Sequence, residues 1–185
     1  MIDQRLKLAR KAAGLSIRDL SERIDKLVSA QAISNYERGV DMPGSKVLIA
    51  LAEALNVSEE YLLGEYELAL EDVDFRKKSA TTKKEIASVQ AQVIRRLEKY
   101  LAIEEVLGLP SVKWDKPRDA PYPVDDLSRV DWVAKKLRDQ WDLGDDPIPD
   151  MVELLEERGI KILDIELPNN VGGLTAKVHT NKQML

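Results

Sequence analysis

Apolar residues recur at helical spacing in five short bursts over the first 64 positions and then lapse into partial alternation. They return as one long stripe, and after a proline-rich gap as two more helical bursts and a closing run of alternation. Ile2, Leu6, Ala9 and Ala13 share one face of a first helix that Gly14 stops. Ser16, with Asp19 three residues on, caps a second that turns Ile17, Leu20 and Ile24 inward. Ser29 opens a third helix over residues 30–38, whose buried side needs only Ala32, Ile33 and Tyr36 before Gly39 ends it. Val47, Leu48, Leu51, Ala52 and Leu55 mark a fourth that starts at Ser45, and Ser58 caps a short fifth closed by Gly64.

Beyond this block, Tyr66, Leu68 and Leu70 alternate only partly, which predicts an extended connector with weak strand character. Thr82 and Glu85 then form a capping box for a helix of about 26 residues, roughly 39 Å long, striped by Ile86, Val89, Val93, Leu97, Tyr100, Ile103 and Leu107 and ended by Gly108 and Pro110. That stripe has no evident partner in its own chain, so Ile86, Val89, Val93, Leu97, Tyr100 and Leu107 are the dimerisation candidates; packing against residues 127–178 is the alternative. A proline-rich linker spans 111–125. Two helices follow, one presenting Val130, Val133, Ala134, Leu137 and Trp141, the other running from about Pro149 to Gly159. Strands are expected at "IKILDIEL", "LTAKVH" and "ML", joined by turns at "NNVGG" and "TNKQ". A last strand of two residues cannot cover an edge, so this region reads as cut short.

The resulting expectation is a mainly α protein. It has a five-helix domain at 1–66, a connector and long helix at 67–110, a linker at 111–125 and a small incomplete α+β region at 126–185. Charge sharpens the division. The chain is acidic overall, net −5 with pI near 5.1, yet residues 1–46 carry nine Lys/Arg against six Asp/Glu. A locally basic head on an acidic body suits a domain that meets phosphate. There is no cysteine, so disulfides, thiolate metal sites and nucleophilic thiols are excluded. With no long apolar run and no leader pattern, the chain reads as cytoplasmic, with no membrane partner.

The third helix carries the candidate chemistry. Ser29, Gln31, Ser34 and Asn35 face away from the Ile33 anchor, and Arg38 falls where a phosphate contact is expected. Gln and Asn pair bidentately with adenine N6 and N7 in the major groove. The bland alternative, a solvated polar face, stays open for Gln31 and Asn35, as does a role for Arg18 and Lys46 as isolated surface charges. The basic run from Arg76 to Lys84 is read as a solvated connector.

Residues 2–64 resemble the phage-repressor (XRE) helix-turn-helix family through "RLKLARKAAGLSIRDLSERI", "VSAQAISNYERG" and "MPGSKVLIALAEALNVSEEYLL". The resemblance implies a five-helix lambda-repressor-like fold. It puts Ala30, Gln31 and Asn35 at base-reading positions and Arg18, Ser29, Arg38 and Lys46 toward phosphates; Ser34 joins the base-reading set by its outward position. Arg10 and Glu37 match a structural salt bridge. One departure is the "DKL" turn between the second and third helices, about two residues longer than the family's and without its glycine.

Residues 127–178 resemble the start of an ImmA/IrrE-type metallopeptidase domain, but its H-E-x-x-H helix is missing, and His179 is the single histidine. Paired acids at 125–126 and 145–146 sit beside helix starts and read as capping features. No catalytic set, metal site or cofactor is assigned. The expectation is therefore a non-enzymatic, sequence-specific regulator of the repressor kind. It acts as a homodimer on double-stranded DNA, with residues 126–185 left to take a protein or small-molecule effector. The rivals are a fragment of a DNA-associated zinc peptidase that cleaves a repressor, and an antitoxin- or adaptor-like protein-binding module.

Overall fold

The computed structural model describes residues 2–64, 68–114 and 116–180. Tyr66 and the anticipated strand at 184–185, with most of the turn before it, lie outside them. By internal packing the chain divides into two compact units, residues 1–109 with 163–184, and residues 110–162.

The first unit begins with five helices: α1 (Ile2–Ala12), α2 (Ile17–Arg23), α3 (Ala30–Tyr36), α4 (Ser45–Leu55) and α5 (Glu59–Leu63). Each start is set locally. The Ser16 hydroxyl accepts from Asp19 N while Asp19 accepts from Ser16 N, and Ser29 and Ser58 cap α3 and α5 through the amides of Ala32 and Tyr61. Left-handed residues end α1 at Gly14, the α3 region at Gly39 and α4 at Asn56. The apolar faces close on one core: Ile2, Leu6, Ala9, Leu20, Ile24, Ile33, Tyr36, Leu51, Ala52, Leu55 and Leu62.

The turn between α2 and α3 is tightly bonded despite its length. Asp25 and Lys26 both take left-handed backbone angles, φ 51° and 56°, and Lys26 N donates to Ser21 O at 2.8 Å. The buried Ser21 hydroxyl donates to Val28 O at 2.7 Å, which ties α2 to the lead-in of α3.

The connector is a full strand, β1 (Leu68–Lys77), paired antiparallel with β2 (Val171–Thr180) from Leu68↔Thr180 to Lys77↔Val171. Its alternation looks weak because the phase slips. Leu68 and Leu70 face inward, a register shift follows at left-handed Asp72, and Val73 and Phe75 then take the inward positions. The basic run from Arg76 to Lys84 is thus divided between the end of β1 and the start of the next helix.

Residues 171–180 therefore belong with the first unit rather than with a 126–185 region. Residues 160–167, expected as a strand, form none: the neighbour that a hairpin would have supplied is taken by β1.

The long helix, α6 (Lys83–Leu107), carries the predicted Thr82–Glu85 capping box, to which Asn170 adds a bond from Nδ2 to Glu85 Oε1 at 3.1 Å. Its stripe is used inside the protomer. Val89, Val93 and Leu97 are 0%, 8% and 2% exposed, so they present nothing to a second copy. Leu97, with Ala91 and Ile94, packs on Leu8 of α1 and Leu68 of β1, with Leu163 and Val178 at the margin. Arg5 of α1 bonds Glu98 of α6 at 2.5 Å and stacks over the Tyr61 ring at 4.8 Å. Burial, and after it the Glu98 charge, raises the Tyr61 pKa. Ile86 and Tyr100 are half-buried, while Ile103 and Leu107 at the far end are exposed.

The second unit holds α7 (Ser128–Gln140) and α8 (Met151–Glu157). Asp150 caps α8 through the amides of Val152 and Glu153, and Asp126 accepts from Ser128 N at the start of α7. The proline-rich stretch is no free linker. Tyr122 donates to Arg118 O and bonds Gln140, Lys136 pairs with Asp119 at 2.9 Å, and the Lys113–Trp114 backbone lies against Gly159.

Candidate nucleic-acid interface

The site is built on α3, seven residues and roughly 10 Å long, a length that suits the major groove. Ile33, fully buried, and Tyr36 fix its rotation, which leaves Gln31 exposed and Ala30, Ser34 and Asn35 half-exposed on the outer side. The helix ends at Tyr36, shorter than the 30–38 expected. Glu37 closes it, and Arg38 lies in the following turn.

Glu37 is held from behind. Arg10 clasps its carboxylate through Nε and Nη2 at 2.5 and 2.7 Å and donates its remaining Nη1 to Leu15 O at 2.8 Å. The two side chains are 10% and 5% exposed, so this is a planar, bidentate, nearly dry pair. It anchors the end of α3 to α1 and leaves neither residue for DNA.

The outer face is wired together through Asn35. Its Oδ1 accepts from Gln31 Nε2 at 3.1 Å and from Arg38 Nη2 at 2.5 Å, while its Nδ2 donates to Asp41 Oδ2 at 3.1 Å. Arg38 also bonds Ser34 O at 3.3 Å, so its guanidinium is folded back along the helix rather than extended. Ser29 spends its acceptor on the cap at Ala32 N and keeps a hydroxyl proton to donate. Arg18 of α2 and Lys46 of α4 are exposed. Beside them, Asp19 is held below the usual carboxylate range by the Ser16 amide and hydroxyl and, more weakly, by Lys84 at 3.6 Å.

Asp41 is the residue the sequence reading passed over. Its signal lies outside any helix: an acid six residues after Asn35, in the loop before Met42–Pro43–Gly44, where only a folded turn brings it back to the helix face.

Residues 6–62 match the Helix-turn-helix family model. The matched stretch runs from within α1 into α5 and takes in α2, α3 and α4 whole. The HTH-type transcriptional regulator ImmR of Bacillus subtilis (strain 168) is 35% identical over 68 residues, 37% of this chain and 52% of that protein. The chain thus spans about half the length of this curated relative. No solved structure matches. Among the described residues, no helix is long and apolar enough to cross a membrane.

Proposed function

We propose that the protein is a DNA-binding transcriptional regulator of the repressor kind. It reads a pseudo-palindromic site as a homodimer, with α3 of each copy in one major groove and half-site centres about 34 Å apart or a multiple of that. The observation that carries this reading is the outer face of α3. Two carboxamides, Gln31 and Asn35, stand one helical turn apart on a helix whose inner face is locked by Ile33 and whose end is pinned by Arg10 and Glu37. Ala30 and Ser34 complete the base-facing set, and Arg18, Ser29, Arg38 and Lys46 ring it as donors for phosphate oxygens. The similarity to a transcriptional regulator supports the same conclusion.

In this reading Arg38 leaves its bonds to Asn35 and Ser34 to reach phosphate, and its departure frees Asn35 Oδ1 for a base amino group.

The test is a pair of variants measured by fluorescence anisotropy on a selected duplex and a random one. Asn35→Ala should cost roughly 1–3 kcal/mol on the selected duplex and little on the random one. Arg38→Ala should weaken both alike and lower the slope of log K against log salt by about 1. Equal losses for Asn35→Ala on both duplexes would remove the base-reading role.

A further inference from the structure

We propose that Asp41 is a positioning residue for base recognition: it sets which way round the Asn35 carboxamide faces the DNA. The inference rests on the DNA-binding reading above and deepens it.

The argument is a count of donors and acceptors. Asn35 Oδ1 has two lone pairs, and Gln31 Nε2 and Arg38 Nη2 occupy both; Nδ2 has two hydrogens, and Asp41 takes one. Turning the amide over would set its NH₂ against the Arg38 guanidinium, which can only donate, and its oxygen against the Asp41 carboxylate, which can only accept, while Gln31 could turn its own amide to follow. Two contacts, to Arg38 and Asp41, would become repulsive, and these two fix the orientation. The second Nδ2 hydrogen is left to donate to a purine N7.

When Arg38 leaves for a phosphate, one of the two bonds to Oδ1 goes with it. The Asp41 carboxylate still grips the donor end, so Asn35 keeps its orientation at the moment its acceptor opens toward adenine N6. Without Asp41, a released Asn35 has only Gln31 to orient it, and its two ends become interchangeable to the base.

Asp41 has a second consequence through its charge. Its carboxylate is exposed at the outer side of α3, where Arg38 shares Asn35 with it, so it opposes the phosphate backbone of any duplex. It weakens binding to all sequences by the same factor while sharpening the choice among them.

Two variants separate these effects, because Asp41→Asn drops the charge but keeps an oxygen that can accept from Asn35 Nδ2, whereas Asp41→Ala drops both. The full chain is measured by anisotropy against a duplex enriched from a random pool, the same duplex with single base changes, and a random duplex. Circular dichroism confirms that the variants are folded. Both variants should bind random DNA about threefold more tightly. Asp41→Ala should also lose about tenfold in preference at one base position, the low end of what a single base contact discriminates, and Asp41→Asn should retain that preference. An Asp41→Ala protein that keeps the wild-type preference within twofold overturns the positioning role, whatever its affinity for random DNA. A wild-type protein that binds no duplex, or binds all alike, instead removes the DNA-binding reading on which the role depends.

Discussion

Residues 1–109 with 163–184 and residues 110–162 are written with similar amphipathic patterns but bury them differently. In the first unit the stripes of α1, α2, α3 and α4 meet, and Leu6, Leu20, Ile33, Leu51 and Leu62 are fully enclosed. In the second, α7 carries as clear a stripe as α1, yet Leu154 of α8 is the one buried apolar residue among the described residues of 110–162, and Leu127 and Trp132 are 88% and 52% exposed. An apolar stripe is only half of a core. It stabilises where other elements arrive to cover it, and five helices with short connections supply that cover where two do not. The second unit is fastened instead by arginines to backbone carbonyls: Arg138 to Gly144 and Asp146, and Arg158 to Trp141 with its guanidinium over the indole.

The tryptophans make the contrast measurable, since Trp114, Trp132 and Trp141, the chain's full set, all fall in 110–162. Their fluorescence follows the second unit, and DNA binding follows the first. The largest expected effect is Leu20→Ala, which should destabilise the first unit by about 4 kcal/mol and abolish DNA binding. The tryptophan transition in urea should stay in place; a shift of that transition by the same amount would show that the two units unfold as one.

Gly159→Ala attacks the other side. Gly159 sits at φ +86°, and a Cβ there would lie 2.6 Å from the Lys113–Trp114 backbone. About 2 kcal/mol should be lost from the tryptophan transition alone, with DNA affinity unchanged.

Lys26→Gly should act in the opposite sense. It relieves a left-handed lysine in the α2–α3 turn and should raise the first unit's stability by about 1 kcal/mol in thermal denaturation followed by circular dichroism. Unchanged stability would mean that the greater freedom of glycine in the unfolded chain cancels the relief.

Acid gives the smallest effect. The carboxyls of Asp19 and Glu85, both in capping boxes, are held below their ordinary values of 3.8 and 4.5 chiefly by the amides of Ser16 and Thr82. Depressed folded-state values stabilise above the unfolded pKa and lose that contribution as pH falls through the folded one. The melting temperature of the first unit should therefore be flat above about pH 5 and decline only on further acidification. A decline that begins near neutrality would point to other groups.

The five-helix domain was legible because its signals are local and agree: serine caps, positive-φ glycines, and an apolar period that returns to one core. The Arg10–Glu37 pair followed from the family pattern alone, since nothing in the spacing of residues 10 and 37 links them. Leu8 carried the clue that α1 has two buried sides, and the reading of its face as Ile2, Leu6, Ala9 and Ala13 passed over it. Once Leu8 is seen to need cover, Leu97 is no longer spare, and with Val89 and Val93 also buried, these three members of the expected dimerisation set are taken within the protomer. The pairing of β1 with β2 was invisible for two reasons: about a hundred residues separate the strands, and the slip at Asp72 breaks the alternation that marks a strand. Asp41 escaped because only the α3–α4 turn brings it to Asn35.

The account's central claim is that the outer face of α3 reads bases, and selection from a random duplex pool with the full chain tests it most directly. Bound fractions would be sequenced at low and moderate salt. The account predicts enrichment of a palindromic motif with half-site centres about one helical turn, or a whole number of turns, apart, with affinity that falls steeply as salt rises. A recovered pool indistinguishable from the input, with binding flat in salt or absent, would contradict it.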